Sequence, residues 1–273
     1  MPAALAYLGP DPLRLAVWLV ALAAIFVPLE RRWALHARKA LRAGWVADLA
    51  YFFVNGLLPP LLLSLPLAML AAALHRAAPN AWYAAVAELP SGLRLAAALV
   101  VAEVGAYWGH RWAHQVPLLW RFHAVHHRAE EIDWLVNVHA HPLDLVFIRL
   151  CALLPLYGLG LAQPGGHAVD TVPLLVTVVG VGWGFFIHAN LRWRLGPLEQ
   201  CLSSPAFHHW HHALRDAKAP GCNFAPLLPW IDRCFGTFHL PRRVWPDGYG
   251  LLAPAGVTAG ASAPAADFAR SSA

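Results

Sequence analysis

Between Trp45 and Leu74 the chain runs for thirty residues with a single charged side chain, Asp48. A helix needs about 20 apolar residues to cross a hydrocarbon core roughly 30 Å thick, so this run is long enough to span a bilayer. Pro59, Pro60 and Pro66 are expected to kink it. Composition extends the constraint to the whole chain, which is 59% hydrophobic and only 13% charged, against about 25% charged in a soluble domain.

Leu13–Leu29 is a second such run, ending in Glu30, Arg31 and Arg32. It lacks a strongly basic leading segment, so it reads as a first span and not as a cleaved signal peptide. Arg31, Arg32, Arg38, Lys39 and Arg42 follow, and clusters of this kind mark the cytoplasmic side. Trp45–Leu74 then leaves the cytoplasm, residues 75–92 form a short outer loop with Trp82 and Tyr83 at the interface, and Leu93–Gly109 returns. Leu143–Ala162 and Val172–Ile187 flank the turn QPGGHAVDT and read as a hairpin, spanning or re-entrant, with Arg149 inside it. From His188 onward the chain is cytoplasmic again, carrying Arg192, Arg194, Arg215, Lys218, Arg233, Arg242 and Arg243.

The fold expected is all-α: a polytopic integral membrane helical bundle of about four or five membrane segments, with a cytoplasmic histidine-rich helical cap. Residues 1–92 are the N-terminal membrane helices, 93–245 a catalytic domain, and 246–273 a disordered tail of small and polar residues. The formal charge of +5 sits beside apolar runs, which makes it a topological signal and not a nucleic-acid footprint. Cys151, Cys201, Cys222 and Cys234 lack CxxC spacing and read as free thiols.

Chemistry concentrates in histidine. HRWAH places His110 and His114 one helical turn apart, so that two imidazoles can converge on one ion. HAVHH adds His123, His126 and His127, with both i+3 and i+4 expected on the face of i. HHWHH repeats the spacing as His208, His211 and His212, leaving His209 as an extra. In VHAHPLD, His139 and His141 lie two apart and point in nearly opposite directions on a helix, so one of them at most is a ligand. His188 stands alone, and its spacing gives it no partner. Counting one of the VHAHPLD pair and His188, there are ten candidates; a closed zinc site takes four, so two metals with open positions fit the number better. Seven residues before His110 on the same helix face lies Glu103, either hydrogen-bonded to a neighbouring helix or orienting a ligating ring from behind.

The order HRWAH, HAVHH, HPLD, HAN at 188–190, HHWHH, Asn223 to Ala225 and DRCFGT at 232–237 resembles the fatty acid hydroxylase and sterol desaturase superfamily, over roughly residues 95 to 241. The resemblance implies a membrane-embedded helical fold with a histidine-ligated di-iron centre on the cytoplasmic side, using O2 and two electrons to hydroxylate or desaturate a lipid C–H bond. By position it puts the ligands on His110, His114, His123, His126, His127, His188, His208, His211 and His212, with His141 as the tenth. HPLD carries aspartate where the family often has glutamate, leaving Asp144 as a carboxylate behind the ligands. His209 stands where the family often has another residue and is read as a nonligand. The chain has no HPGG element of a fused cytochrome b5 domain, so a separate cytochrome b5-like or ferredoxin-like donor, with its reductase, is implied.

Two other classes compete. A zinc-dependent membrane enzyme could use the same histidines, since nitrogen sites bind Zn2+ more tightly than Fe2+. A metal transporter or store would instead place ligands along a pathway near the bilayer midplane, whereas these clusters fall at span ends and in loops.

Overall fold

The computed structural model describes residues 11–37, 42–77, 80–162, 171–214, 221–242 and 244–252. These residues are helical wherever they are regular, with two isolated β-bridges, Ala34 to Leu191 and Ala213 to Tyr249. The helices are α1 (Pro12–Trp33), α2 (Trp45–Ala77), α3 (Asn80–Ala87), α4 (Ser91–Gln115), α5 (Pro117–His123), α6 (Pro142–Gly158), α7 (Thr171–His188), α8 (Pro205–His211) and α9 (Trp230–Cys234). Short 3-10 turns cover His126–Arg128, Trp134–Val138 and Gly196–Gln200.

Among the described residues, three helices, α1, α2 and α4, are long and apolar enough to cross a membrane, and Leu174–His188 of α7 is a shorter apolar helix. In the most apolar windows of α1 and α2 only 6% and 12% of residues are buried. Side chains such as Val17, Trp18, Leu61, Leu65 and Met69 therefore face outward. Apolar surface of that extent finds a favourable solvent in lipid and not in water. The prolines Pro59, Pro60 and Pro66 all lie inside the continuous helix α2.

Helices α4 and α6 approach until their backbones touch. A Cβ on Gly105 would lie 2.1 Å from the carbonyl oxygen of Cys151, and one on Gly109 2.9 Å from its Cβ. Glycine at both positions is what permits this approach. The C-terminal ends of α4 and α7 and the N-terminal end of α6 carry His110, His114, His188 and Asp144, so these helices present their chemistry at one end of the bundle. There, Phe26, Phe52, Trp134, Phe185, Ala189 and Leu191 form one core with α1 and α2.

Two local expectations change. The stretch 75–92 contains helix α3 instead of a simple loop, with Trp82 Nε1 donating to the Leu159 carbonyl at 3.1 Å and packing α3 onto the end of α6. Residues 246–252, expected to lie in the tail, are among those described and pack onto the rest of the chain. Tyr249 is buried, Leu214 N donates to the Gly248 carbonyl at 2.7 Å, and Gly250 takes φ +99° to turn the chain. An aromatic ring with a place to bury itself orders the residues around it, and composition alone does not reveal that place. The hairpin turn at 163–170 and the residues from 253 lie outside those described. Cys151, Cys201 and Cys234 are free thiols, and the Cys222 thiol reaches the Trp210 carbonyl at 3.6 Å.

Candidate metal centre

Among the described residues, nine histidines converge in two groups: His110, His114, His123, His127 and His211 in one, and His126, His188, His208 and His212 in the other. Within each group the candidate ligand atoms all lie within 4.8 Å of one another. All nine are buried except His114, which is half-buried.

The two HxxHH motifs are divided by one rule. Positions i and i+4 stay together (His123 with His127, His208 with His212), while position i+3 crosses to the opposite group: His126 joins the His208 pair and His211 joins the His123 pair. Successive helical residues differ by about 100° in direction, so two adjacent histidines cannot serve the same point. The expectation that i+3 and i+4 share the face of i is corrected accordingly. His123 closes α5, and His126 and His127 fall in the 3-10 turn that follows.

Five rings are oriented from behind. The Nδ1 of His110 donates to the Phe224 carbonyl at 2.8 Å, that of His123 to the Asp144 carboxylate at 2.9 Å, and that of His126 to the His139 carbonyl at 3.1 Å. His188 donates to the Gly184 carbonyl and His211 to the Cys222 carbonyl, both at 2.7 Å. A ring whose Nδ1 carries the proton presents a bare lone pair at Nε2. Yet the Nε2 atoms of His110 and His123 are 3.1 Å apart, and those of His126 and His188 3.2 Å. Two lone pairs at that separation repel unless a cation lies between them, and about 3 Å is the spacing of neighbouring ligands with bonds near 2.1 Å. The Nε2 atoms of His127 and His211 are buried with no hydrogen-bond partner, which a metal would satisfy. Burial, reinforced by neighbouring imidazoles, pushes the pKa of His126, His127, His208, His211 and His212 well below its ordinary value. They are neutral, the form that ligates metal. The donor set fits one metal ion per group.

His141 is the candidate that the fold does not bring in. It caps α6: its Nδ1 accepts from Leu143 N at 3.2 Å, with Pro142 in the first turn, and its ring packs on Phe122. HPLD thus reads as a helix start that aims Asp144 at His123. His139 also stays outside both groups, donating from Nδ1 to Asp48 Oδ1 at 2.5 Å. His209 points the other way, to the Tyr249 hydroxyl at 2.8 Å and the Ala189 carbonyl at 3.1 Å. Glu103 reaches no histidine ring; its carboxylate accepts from Leu227 N and Leu228 N, at 2.9 and 3.3 Å.

Glu103 therefore helps to hold the 222–228 segment, whose carbonyls receive His110 and His211. Asp232 holds the same segment through Phe224 N and Ala225 N, both at 2.8 Å. Asn223, in the left-handed region at φ +57°, donates to the carbonyls of Phe207 and His239 and accepts from His239 N, each at 2.7 Å. The motifs that contain Asn223 and Asp232 do not reveal these tasks. Nor does the position of Glu30 at the end of an apolar run reveal its own: Glu30 Oε1 accepts from Trp134 N and Asn190 N, both at 2.8 Å, tying the turn Trp134–Val138 to the residues that follow α7 and His188.

A sequence profile described as fatty acid hydroxylase matches residues 95–237. The chain is 36% identical over 157 residues to the ornithine lipid hydroxylase OlsE of Rhizobium tropici, covering 57% of this chain and 45% of that protein. It is 30% identical over 146 residues to the alkylglycerol monooxygenase of Homo sapiens, 52% of this chain and 30% of that one. To methylsterol monooxygenase 2-2 of Arabidopsis thaliana it is 26% identical over 149 residues, 53% and 52% of the respective chains. The matches thus span about half or less of these relatives' lengths. No solved structure matches the chain.

Proposed function

The chain belongs to the fatty acid hydroxylase family, and from that premise we propose that it is a membrane-bound, O2-dependent oxidoreductase that hydroxylates or desaturates a C–H bond of a lipid, with two non-haem iron ions held by the nine grouped histidines. The observation that carries this reading is the division of those rings into groups of five and four at one end of an apolar bundle. Five imidazoles exceed the four of a closed zinc site and suit an ion of higher coordination number.

Bound iron would supply the redox chemistry, reducing O2 with two external electrons so that one oxygen enters the lipid, or both leave as water when a double bond forms. The protein's own part is positional. His110, His123, His126, His188 and His211 present Nε2 because carbonyls or Asp144 fix their Nδ1 protons. Burial keeps bulk water from the groups, which protects reactive species. The apolar helices let a lipid reach the site from the bilayer. The names of the relatives specify an ornithine lipid, an alkylglycerol and a methylsterol, so the substrate class proposed is a membrane lipid, fatty acyl, sterol or related. Electrons come from a cytochrome b5-like or ferredoxin-like donor with its reductase, and the site faces the cytoplasm by the distribution of arginine and lysine.

Zinc is the second reading, since the four-histidine group alone has the ligand number of a tetrahedral zinc site. Metal analysis of protein purified without an affinity-tag metal, followed by turnover of membrane lipids with reductant, separates the two. Two iron ions per chain and lipid oxidation that stops without O2 support the oxygenase. Zinc-supported activity with no O2 uptake replaces it.

A further inference from the structure

Resting on the two-metal reading above, we propose that Asp48, on a helix outside the family-matched residues, is a positioning residue for the four-histidine group alone, acting through the segment 138–140. The five-histidine group is braced from inside the matched segment 95–237: Phe224 and Cys222 carbonyls, Asp144, Asn223 and Asp232. The support of His126 is different. Its Nδ1 donates to the carbonyl of His139, and that peptide is fixed from α2.

The fixing is specific in its geometry. Asn55 of α2 donates from Nδ2 to the carbonyls of Val138 and Ala140, both at 2.9 Å. The flanking carbonyls thus point one way, leaving that of His139 to meet His126. The His139 ring is held in turn by Asp48, fully buried in the first turn of α2, whose second carboxylate oxygen pairs with Arg42. Arg42 Nε also donates to Asp133 Oδ2 at 2.8 Å, and Asp133 caps the turn Trp134–Val138 through the N–H groups of Leu135 and Val136. A buried carboxylate between a guanidinium and an imidazole is satisfied on both sides, and removing it leaves the His139 ring and Arg42 without their acceptor. The His139 carbonyl then loses its fixed direction, and the tautomer and aim of His126 go with it.

The test is the iron content of the purified full chain after anaerobic loading with Fe(II), with far-UV circular dichroism and thermal unfolding of the metal-free forms beside it. Wild type is expected to hold two equivalents, and the double variant His110→Ala/His114→Ala, which leaves three rings in the five-histidine group, and His126→Ala one each. Any other result for these three rejects the two-metal reading itself. Asp48→Ala is expected to fall to one equivalent, and Asp48→Ala combined with His126→Ala to stay at one. Asp48→Ala combined with His110→Ala/His114→Ala should bind none. Asp133→Asn removes the other ion pair of Arg42, the one made by its Nε, without touching His139 and is expected to keep both equivalents. Two equivalents in Asp48→Ala, or equal loss in Asp133→Asn, overturns the proposal. If Asp48→Ala fails to fold by its dichroism, Asp48→Asn decides instead: it keeps an acceptor for His139, and loss of one equivalent from it overturns the role assigned to that hydrogen bond.

Discussion

Asp232 grips Phe224 by its backbone N–H at 2.8 Å, while the carbonyl of the same Phe224 receives the Nδ1 proton of His110 at 2.8 Å. One peptide thus carries a carboxylate on one side and a candidate ligand on the other. Replacing Asp232 with alanine leaves two buried N–H groups and the Thr237 hydroxyl without their acceptor, at about 1–3 kcal/mol each. The expected result is a stability loss of several kcal/mol, read by denaturant unfolding, and about 10–100-fold weaker Fe(II) binding at the five-histidine group. Unchanged iron affinity would remove Asp232 from the support of His110.

Substituting His126 or His211 tests the crossing of position i+3. His126→Ala, which leaves three rings, should lose the metal of the four-histidine group, while His211→Ala, which leaves four, should weaken and spectrally change the ion of the five-histidine group, each with about 100-fold loss of lipid turnover. The selective effect is readable by the spectrum of the bound iron. Identical spectra from the two variants would mean that the grouping is wrong.

His209 supplies an acid sensitivity independent of metal. Its pKa is pushed down to about 3 by burial and by the neighbouring His188 ring, whereas an unfolded histidine titrates near 6.5. Between those values the unfolded state binds a proton that the folded state refuses, so stability is complete above pH about 6.5 and falls as the pH drops. At pH 5 the loss from this ring is about 2 kcal/mol. The metal-free melting temperature should therefore decline less steeply from pH 7.5 to 5 in His209→Gln than in wild type, and parallel curves would assign the sensitivity elsewhere. Because the ring faces Tyr249 and Ala189, His209→Ala should retain far more activity than either ligand variant.

Gly105→Ala should separate α4 from α6, since the added carbon would sit 2.1 Å from a backbone oxygen that cannot rotate away. Overpacking of this kind costs about 1–3 kcal/mol. Gly92→Ala, on the same helix with nothing within 4 Å of the new carbon, is the control, and a thermal shift of equal size in both would deny the close approach its role.

The membrane helices were legible because apolar runs such as Trp45–Leu74 depend on the local sequence alone. The grouping of the rings was legible only as far as helical spacing reaches. That His123 and His127 belong together follows from i and i+4, but the crossing of His126 and His211 depends on how α5 and α8 face each other. His188 had no local partner, and the resemblance alone raised it from a counted candidate to a ligand. His141 was chosen by position in a motif, and the structure gives it the ordinary work of starting α6. Glu30, Arg42, Asp48 and Asn55 could not be found from spacing, because each acts across more than eighty residues of chain. A charged side chain near the edge of an apolar run, or for Asn55 an amide inside one, was the signal they left.

The adjacent pairs His126–His127 and His211–His212 each send one ring to either group. The two groups are therefore stitched together by peptide bonds at two places, and consecutive Cα atoms stand about 3.8 Å apart whatever the surroundings. A thinner bilayer, a detergent micelle or a tilt of α2 can loosen the packing around the centre, but it cannot stretch those two stitches. Covalent geometry therefore caps the distance between the groups, and that cap is the same in any membrane that keeps the protein folded.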